Sequence, residues 1–518
     1  MSYAMLYTRA QQGIESPLVI VEVHLSAGLP GLSIVGLPET AVKESKDRVR
    51  SAIINSNFEF PAQRITINLA PADLPKQGGR YDLAIALGIL AASGQIPCKP
   101  LKEYEFIGEL ALTGKLRAIQ GALPNAMQTR GASRKLILPN QNAQEACLVN
   151  NLEIYAATHM LAVCAHLADV THLEPVTRHQ SAHSDNNELD LSDLYGQFHA
   201  KRALEIAAAG AHSILMSGPP GTGKTMLASR LPGLLPEMSD KESLETASIA
   251  SISQAGFNSD GWKKRPFRAP HHTASGVALV GGGSNPMPGE ISLAHNGVLF
   301  LDELPEFDRR VLDVLREPLE SGKINISRAA RQVEYPARFQ LIAAMNPCPC
   351  GYLGDPSGRC HCNEEQIRRY RLRISGPLMD RIDMHIEVPR LNNEGFLSPR
   401  KKEAKQVTSH IVRQRVQKAH QQQIKRYGKS NSAMTVRDIL TNCPLSKENI
   451  TLIETACEQL GLSARAQHRI IKLSRTIADL DESKLIEHHH IKEALSYRRQ
   501  EHFFTNKKFK LTEQNLND

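Results

Sequence analysis

One stretch of eight residues restricts the fold of this chain more than any other feature. Residues 218–225 read Gly-Pro-Pro-Gly-Thr-Gly-Lys-Thr and fit the phosphate-loop pattern G-x-x-x-x-G-K-[ST]. Apolar residues 214–216 precede the stretch and helix-forming residues 226–228 follow it, which is the strand-loop-helix context that the pattern requires. A Gly/Pro-rich turn is the alternative interpretation. The context favours an α/β fold that binds a nucleotide.

Each position of this loop has a chemical role in such a site. Glycines let backbone N–H groups approach phosphate oxygens, the lysine places a positive charge on the β- and γ-phosphates, and the next hydroxyl is a magnesium ligand. The N-terminus of the following helix adds a partial positive charge. We therefore predict ATP and Mg2+ as cofactors, with ATP held by Gly218, Pro219, Pro220, Gly221, Thr222, Gly223, Lys224 and Thr225.

A second motif supplies two carboxylates. Residues 297–303 read Gly-Val-Leu-Phe-Leu-Asp-Glu, an apolar run of the buried-strand type that ends in acidic residues. Asp302 is predicted to hold Mg2+ through water beside Thr225, and Glu303 is predicted to polarise the attacking water. Alone this run is weak evidence, but it lies about eighty residues after the phosphate loop, as the second half of an ATPase site would.

Length, composition and charge limit the remaining classes. A chain of 518 residues suggests two or three domains. No apolar run reaches about 18 residues and the N-terminus lacks a signal-peptide pattern, so we expect a cytoplasmic protein with no membrane partner. Nine cysteines, four of them clustered, fit a reducing compartment. The net charge is +8, and residues 400–429 hold ten Lys or Arg against Glu403; polyanion binding and a solvated basic helix face are both open.

The pattern along the chain predicts a division into five parts. Residues 1–170 alternate strand and helix patterns, for example strands at 18–23 and 64–69 and a helix at 83–92, and 171–190 form a polar linker. Residues 191–390 form a second α/β unit with the nucleotide motifs, 391–505 a helical domain, and 506–518 a frayed tail. Helical periodicity of the fourth part is seen at Val407, Ile411, Val412, Val416 and Ala419.

Four further stretches carry a family resemblance: residues 194–210, 265–272, 288–297 and 375–383. With them the chain resembles, over essentially its whole length, the ComM/YifB group of magnesium-chelatase-like AAA+ ATPases. The resemblance implies an α/β fold class with an AAA+ P-loop ATPase core and a helical lid, preceded by a Lon-protease-like, ribosomal S5-like α/β domain.

The resemblance also implies further ATPase residues. Asn346, which ends the apolar run 339–346, resembles the sensor-1 residue that orients the lytic water; a strand-ending turn Asn before Pro347 is the alternative. Arg381 resembles an arginine finger that reaches a neighbouring subunit, and a surface ion pair with Asp380 or Asp383 is its alternative. Arg465 resembles the sensor-2 arginine of the lid, with Arg469 as second choice. A finger supplied in trans implies a homo-hexameric ring.

Two insertions predict what such a ring holds. The segment between the phosphate-loop helix and Asp302 resembles the helix-2 insert of the clade that includes MCM helicases, and it carries Arg265 and Arg268. Residues 323–335 predict a hairpin, like the pre-sensor-1 hairpin, with Arg328 and Arg331 near its tip. Basic tips facing a pore suit contacts to a phosphate backbone, so these four arginines are predicted to bind single-stranded or branched DNA.

A cysteine cluster follows Asn346. Cys348, Cys350, Cys360 and Cys362 offer four thiolates within fifteen residues, and tetrahedral zinc binding is chemically reasonable. C-x-C pairs are less typical of zinc sites than C-x-x-C pairs, so reduced or redox-labile cysteines are an equal alternative. His361 is a substitute for one ligand, and the position beside Asn346 suggests that the cluster braces the ATPase site.

The N-terminal domain resembles Lon-type proteases in residues 75–87 and 108–123. At the positions matching the nucleophilic serine and its activating lysine, this sequence has Arg80 and Leu123, neither of which performs that chemistry. Lys76 and Lys115 lie nearby and are interpreted as solvated charges, with contact to DNA or another domain as the alternative. The domain is expected to serve binding or assembly.

Together these features predict an ATP-hydrolysing hexameric DNA motor, a helicase or branch-migration enzyme. The resemblance implies that it promotes integration of DNA during natural transformation or homologous recombination, with recombination proteins as further partners. A protein-remodelling factor and a chelatase-like ATPase that does not act on DNA are the alternatives.

Overall fold

The computed structural model describes residues 2–178, 189–283, 286–328, 331–355, 358–390 and 407–498. The predicted tail, 506–518, and half of the predicted linker, 179–188, lie outside these residues, as do residues 400–406 of the basic segment. None of the described helices combines the length and apolar character needed to cross a membrane.

A seven-stranded mixed sheet forms the N-terminal region, residues 2–178. Its strand order is β3-β4-β2-β1-β5-β8-β9, with β2 antiparallel to its neighbours β1 and β4 and the remaining neighbours parallel. Helix α3 lies against β1 and β2, and every one of its residues is buried, as its continuous apolar sequence requires. The strands of the region are β1 (Tyr3–Arg9), β2 (Leu18–Ser26), β3 (Gly31–Val35), β4 (Arg64–Ala70), β5 (Tyr104–Phe106), β6 (Glu109–Leu110), β7 (Leu116–Arg117), β8 (Lys135–Pro139) and β9 (Ile154–Ala157). The helices are α1 (Thr40–Lys43), α2 (Ser45–Asn55), α3 (Asp82–Ala92), α4 (Ala122–Gly131), α5 (Ala143–Ala146) and α6 (Met160–Leu167).

The central region, residues 189–390, is built on a five-stranded parallel sheet of order β11-β14-β17-β10-β18. Its three inner strands are continuous apolar runs because helices cover both faces. The strands are β10 (Ile214–Ser217), β11 (Phe267–Arg268), β12 (Gly281–Gly282), β13 (Met287–Pro288), β14 (Val298–Leu301), β15 (Lys323–Arg328), β16 (Arg331–Pro336), β17 (Gln340–Met345) and β18 (Met384–Glu387). The helices are α7 (Phe198–Gly210), α8 (Lys224–Arg230), α9 (Asp240–Ile252), α10 (Gly276–Val280), α11 (Glu290–Leu293), α12 (Arg309–Val314), α13 (Arg316–Ser321), α14 (Glu364–Arg371) and α15 (Gly376–Met379).

Only helices occur among the described residues of the C-terminal region, 407–498, as their periodicity predicts. They are α16 (Ser409–Tyr427), α17 (Val436–Asn442), α18 (Lys447–Leu460), α19 (Ala464–Leu480) and α20 (His488–Ser496). Val412, Val416 and Ala419 of α16 are buried against the central region, whereas Ile411 is exposed and Val407 precedes the helix.

The basic helix α16 is not a free cationic face. Arg415 pairs with Glu205 at 2.8 Å, and Arg426 pairs with the buried Asp479 at 2.7 Å. Arg413 donates a hydrogen bond to the carbonyl of Gly233 at 2.8 Å. These contacts use the positive charges to fasten the helix to its neighbours, so the charge excess of 400–429 is partly structural.

The N-terminal region contacts the central region at two places. Helix α4 packs against α9, where the Gly121 N–H donates to the Ser251 carbonyl at 3.0 Å, and a shared apolar cluster includes Leu123, Ala247 and Trp262. The turn between β1 and β2 meets the hairpin β15–β16, since a Cβ atom on Gly13 would lie 2.5 Å from Cγ1 of Val333. The two α/β regions are therefore packed directly on each other.

Candidate nucleotide site

The phosphate loop joins β10 to α8, as the strand-loop-helix context predicts. Gly221 and Gly223 have positive φ values of 77° and 86°, a backbone region that favours glycine. A Cβ on Gly218 would lie 2.2 Å from the carbonyl oxygen of Val388, so the start of the loop also requires glycine. The sequence therefore fixes a tight loop at the N-terminus of α8, where backbone N–H groups and the helix dipole favour anions.

Lys224 lies inside this loop and is buried. Its Nζ donates to the carbonyls of Gly218 at 2.7 Å and Pro219 at 2.9 Å, and lies 3.3 Å from Oδ1 of Asn346. Burial lowers the pKa of the Lys224 ammonium, and the charges of Asp302 and Glu303 partly offset that effect. A phosphate group would replace the carbonyl partners with a stronger acceptor.

The predicted magnesium ligands are adjacent. Thr225 Oγ1 donates to Oδ2 of Asp302 at 2.8 Å. This oxygen pair suits Mg2+, which prefers hydroxyl, carboxylate and water oxygens and would be shared with the nucleotide phosphates. The ion would neutralise charge that develops on the phosphates during hydrolysis.

Glu303 follows Asp302 with a left-handed backbone, at φ 52° and ψ 48°. Its N–H donates to Oδ1 of Asp302 at 2.9 Å, so the pair shares one short network. Non-glycine residues in this conformation carry strain that is common at functional sites. The side chain of Glu303 is 51% exposed.

Arg381 and Arg465 converge on a single carboxylate, that of Glu320. Nη2 of Arg381 lies 2.8 Å from Oε1 of Glu320, and Nη1 of Arg465 lies 3.9 Å from the same oxygen. The Arg381 side chain is 11% exposed, that of Arg465 68%. The structure thus brings the two predicted arginines together, and the pairs with Asp380 or Asp383 that were the alternative for Arg381 do not form.

Arg469, the second choice for the lid arginine, is instead a structural link. It donates to the carbonyl of Arg381 at 2.9 Å and contacts the carboxylate of buried Asp383. Burial alone would raise the pKa of Asp383, but Arg469, His212 and the Ser213 N–H outweigh burial and hold that pKa far below its usual range. Arg469 therefore anchors lid helix α19 to the backbone that carries Arg381.

The four clustered cysteines meet at one point. Sγ of Cys348 lies 3.3 Å from Sγ of Cys350 and 3.8 Å from Sγ of Cys360, and Cys350 and Cys360 are 3.6 Å apart. All four sulfur atoms lie within 4.8 Å of one another. Zinc bonds of about 2.3 Å in a tetrahedron place sulfur atoms roughly 3.8 Å apart, so the residues fit zinc. Hydrogen bonds from the Tyr352 N–H and from neighbouring groups lower the pKa of Cys350 to about 6, whereas the pKa values of Cys360 and Cys362 are raised, because without a metal the neighbouring sulfur atoms share one negative charge.

The cysteine loop touches the phosphate loop. A Cβ atom on Gly351 would lie 2.8 Å from Cδ of Pro220, and Gly351 itself needs its positive φ of 84°. Arg371 donates from Nε to the Pro347 carbonyl at 3.3 Å, at the start of the same loop. The cysteine loop is therefore in a position to support the phosphate loop beside Asn346.

The predicted DNA arginines occupy different environments. Arg265 is 12% exposed and donates to the carbonyls of Pro236 at 2.6 Å and Asn296 at 2.7 Å, so its guanidinium holds the insert together and is not available to a phosphate backbone. The contacts of Arg265 therefore contradict the prediction that it binds DNA. Arg268 forms a two-bond pair with Glu290 at 2.6 and 2.7 Å. Arg328 and Arg331 form the last paired position of the hairpin β15–β16, as predicted, and their side chains lie outside the described set.

At the position of a Lon-type dyad, Arg80 and Leu123 are both buried. Arg80 donates to the Gln120 carbonyl at 2.9 Å, beside a cleft of about 540 Å3. Lys115 is exposed, but Lys76 is buried and bonds to the Pro71 carbonyl, so the prediction that Lys76 is solvated is wrong. Burial lowers the pKa of Lys76.

The sequence did not predict that Glu320 pairs with both Arg381 and Arg465, or that His272 contacts Glu303. Nδ1 of His272 lies 3.4 Å from Oε2 of Glu303. The sequence shows His272 only as one of several basic residues in the insert. Neither contact has a local sequence signal, because each joins residues that are far apart in the chain.

The parallel sheet, the phosphate loop after β10, the two carboxylates after β14 and the asparagine after β17 define a P-loop ATPase of the AAA+ class. Residues 190–396 match the family described as magnesium chelatase, subunit ChlI; residues 21–142 match subunit ChlI of Mg-chelatase; and residues 406–498 match its C-terminal part. The chain is 54% identical to competence protein ComM of Haemophilus influenzae over 502 residues, covering 96% of this chain and 98% of that protein. It is 52% identical to the uncharacterized protein YifB of Escherichia coli over 498 residues, covering 96% and 97%.

The chain therefore belongs to the magnesium-chelatase-like AAA+ ATPases of the ComM/YifB group, which confirms the resemblance read from its motifs. Membership of this family implies ATP and Mg2+ as cofactors and ATPase activity.

Proposed function

We propose that this chain is the subunit of a homo-hexameric, ATP-driven DNA motor that unwinds or migrates branched DNA in the cytoplasm. The name of its Haemophilus relative, a competence protein, supports a task in the integration of DNA during transformation or recombination. The observation that carries the proposal is the hairpin β15–β16, whose last paired position is formed by Arg328 and Arg331. Two arginines per subunit in a ring give many contacts to phosphates without reading bases.

In the proposed mechanism, this chain's residues position the nucleotide and the attacking water. The phosphate loop and Lys224 bind the phosphates, Thr225 and Asp302 hold Mg2+, and Glu303 accepts a proton from the water. Asn346, 3.3 Å from Lys224 Nζ, orients that water near the γ-phosphate.

Arg381 and Arg465 complete the site of the neighbouring subunit in this proposal. Both side chains meet at Glu320, and no described contact joins either of them to the phosphate loop of their own chain. A guanidinium inserted at a neighbour's γ-phosphate stabilises transition-state charge, and Glu320 holds Arg381 until that neighbour binds. Because Arg469 links Arg381 to α19, a lid movement would also move the finger.

We also propose that the four cysteines bind one structural zinc ion. The near-tetrahedral spacing of their sulfur atoms supports zinc over a labile thiol pair, and the contact between Gly351 and Pro220 links the loop to the nucleotide site.

The test compares ATP hydrolysis with and without single-stranded and three-way-junction DNA, and follows strand displacement on the same junctions. Lys224→Ala should lower hydrolysis at least about 100-fold under all conditions, because it removes the charge on the β- and γ-phosphates. Arg328→Ala/Arg331→Ala should retain basal hydrolysis and lose DNA stimulation and displacement.

The matched control is Arg117→Ala/Arg437→Ala, which removes two exposed arginines elsewhere. It should behave as the unaltered chain with and without each DNA. An ATPase indifferent to every DNA, with an equally indifferent hairpin variant, would reject the motor and favour remodelling of a protein.

A further inference from the structure

Arg80 of the N-terminal region is a buried arginine that pairs with no carboxylate among the described residues. It is 7% exposed, and its Nη2 donates to two neutral oxygens, Oε1 of Gln11 and the Gln120 carbonyl. Its Nη1 has no hydrogen-bond partner in the described part of the chain. Because buried charges are ordinarily paired and buried polar groups bonded, this guanidinium requires an explanation.

Two further arginines of the same region are neutralised by carboxylates. Arg9 pairs with Glu105 at 2.6 Å, and Arg48 pairs with Asp82 at 2.8 Å. The hydrogen bond to Asp82 raises the pKa of Arg48, whereas burial lowers the pKa of Arg80 and no carboxylate is among the groups that oppose this effect. Arg80 therefore lacks the anion that a buried guanidinium ordinarily has.

Arg80 lies in the wall of an open cleft of about 540 Å3. The polar side chains of the walls are three amides and two carboxylates, those of Gln11, Gln77, Gln120, Glu39 and Glu109. Amide groups both donate and accept hydrogen bonds, as the backbone of a bound peptide requires. The two carboxylates repel a polyanion such as DNA, so the cleft suits a ligand of mixed charge.

The backbone at Gly78 and Gly79 is open to this cleft. Gly78 is exposed and has φ 70° and ψ −178°, a conformation that is essentially restricted to glycine, and a Cβ atom built on it would have no atom within 4 Å. A Cβ atom on Gly79 would lie 2.6 Å from Cγ of Glu109, so glycine leaves room for that side chain. These two residues thus offer main-chain groups, without side chains, to an extended peptide.

Both neutral partners of Arg80 belong to segments that contact the ATPase region. Gln11 lies between β1 and β2, in the turn that meets the hairpin β15–β16. Gln120 directly precedes Gly121, whose N–H donates to the Ser251 carbonyl at 3.0 Å. A ligand in the cleft is therefore held beside both contacts between the two regions.

We propose that this cleft is a docking site for a partner protein, and that it binds a peptide whose carboxylate pairs with Arg80. The carboxylate displaces the neutral Gln11 amide and bonds Nη1 and Nη2 together, which supplies the missing acceptor and the missing counter-ion. Lys or Arg residues beside that carboxylate pair with Glu39 and Glu109. The site is additional to the ATPase site and does not depend on the action proposed on DNA.

The test measures binding of the labelled full chain to an array of short acetylated, amidated peptides with a central glutamate and varied neighbours. These peptides should retain at least about fivefold more chain than their glutamine counterparts, because a charged acceptor bonds a guanidinium more strongly than an amide does. Peptides with Lys or Arg beside the glutamate should bind best. A glutamine array with free C-termini distinguishes a terminal carboxylate from a side chain, and binding to either carboxylate supports the proposal.

Two variants locate the binding. Arg80→Met removes the charge and keeps an apolar side chain of similar length, so it should reduce binding to the level of the glutamine peptides without lowering the unfolding temperature. Ala118→Trp fills the cleft from an exposed wall position and should also lose binding. Its matched control is Ala72→Trp, which adds the same ring at an exposed position outside the cleft and should bind as the unaltered chain does.

Equal binding to carboxylate and glutamine peptides would overturn the proposal, as would unchanged binding by Arg80→Met. Should Arg80→Met fail to fold, Ala118→Trp decides, because a folded Ala118→Trp chain that binds as Ala72→Trp does would place the peptide outside this cleft. Binding that excess single-stranded DNA abolishes would mean that the cleft takes a polyanion, and would likewise reject the peptide site. A failure of the DNA motor leaves each of these results unaffected.

Discussion

Two lysines show that the groups around a side chain, more than residue type or burial, decide its role in this protein. Lys224 and Lys76 are both buried, both donate to backbone carbonyls, and the pKa of each is lowered by burial. Lys224 has Asp302, Glu303 and an anion-binding loop around it, whereas Lys76 fastens one turn of the N-terminal region. The phosphate-loop pattern identifies the first lysine from sequence, but no pattern identifies the second.

The cysteine cluster gives a prediction for individual residues. Purified protein should contain about one zinc ion per chain, and Cys360→Ser/Cys362→Ser should lose it together with some thermal stability, because four thiolates are needed to close the tetrahedron. Metal analysis and the unfolding temperature measure both effects.

Cys98→Ser is the matched control, since Cys98 lies in the N-terminal region and contacts the Ala91 carbonyl at 3.4 Å. It should retain the metal. A full chain that is folded, active and free of zinc would reject the structural site.

At the scale of elements, short contacts tie the N-terminal region to the ATPase region. The β1–β2 turn meets the hairpin β15–β16 at Gly13 and Val333, and α4 and α5 meet α9 near Ser251. Each contact joins the N-terminal region to the ATPase region, and the first of them reaches the hairpin that ends at Arg328 and Arg331. The N-terminal region is therefore placed to stiffen the hairpin.

Gly13→Ala tests the contact between turn and hairpin. The new Cβ would clash with Val333 Cγ1 at 2.5 Å, whereas Gly94→Ala introduces the same left-handed backbone strain, at φ 78°, with no atom within 4 Å. We expect Gly13→Ala to lose about 1–2 kcal/mol more of the free energy of unfolding than Gly94→Ala.

The double variant Gly13→Ala/Val333→Ala should recover part of this extra loss, since the clashing methyl group is gone. Equal stabilities of Gly13→Ala and Gly94→Ala in chemical denaturation would show that the turn moves freely away from the hairpin.

Glu145 on α5 gives the same interface a pH dependence. Burial raises its pKa to about 7, although hydrogen bonds from Asn142, Ser251 and the Ala122 N–H oppose the increase. The folded chain then binds more protons than the unfolded chain between the unfolded pKa of 4.5 and the folded pKa of about 7. The contribution of Glu145 to the free energy of unfolding is therefore full below pH 4.5 and falls as the pH rises to about 7, by roughly 3 kcal/mol at most.

Glu145→Gln removes that titration and keeps an oxygen that accepts hydrogen bonds. We expect the variant to unfold at a higher temperature than the unaltered chain at pH 8, with a smaller difference at pH 5.5. Parallel curves of unfolding temperature against pH would contradict the assignment.

At the scale of the whole molecule, the arrangement of arginines favours an assembly. Arg381 and Arg465 share Glu320, and no contact among the described residues joins either of them to the phosphate loop of the same chain. The proposed completion of the site by the next subunit would account for this arrangement.

Mixing variants tests this arrangement. Lys224→Ala and Arg381→Ala should each be nearly inactive alone, and their mixture should regain part of the ATPase activity, because some interfaces then combine an intact phosphate loop with an intact finger. Hydrolysis is measured against mixing ratio, with sedimentation showing the ring.

Arg117→Ala is the control variant for the mixture, because it keeps both the phosphate loop and the arginine finger. Mixed with either inactive variant, it should only dilute the loss of ATPase activity. A mixture of Lys224→Ala with Arg381→Ala that hydrolyses no faster than its parts, in rings that sedimentation shows to be mixed, would argue that Arg381 acts within its own chain.

The sequence by itself determined the phosphate loop, the carboxylates that follow β14, the asparagine that follows β17 and the family. Each of these depends on a short, contiguous motif whose residue types set the local backbone conformation and the local chemistry. It also predicted the hairpin that ends at Arg328 and Arg331. Only the tertiary structure decided that Arg265 is mostly buried, that Glu320 joins Arg381 to Arg465, and that His272 contacts Glu303. These contacts link residues from separate elements, and their burial and charge pairing depend on how the sheets and helices pack.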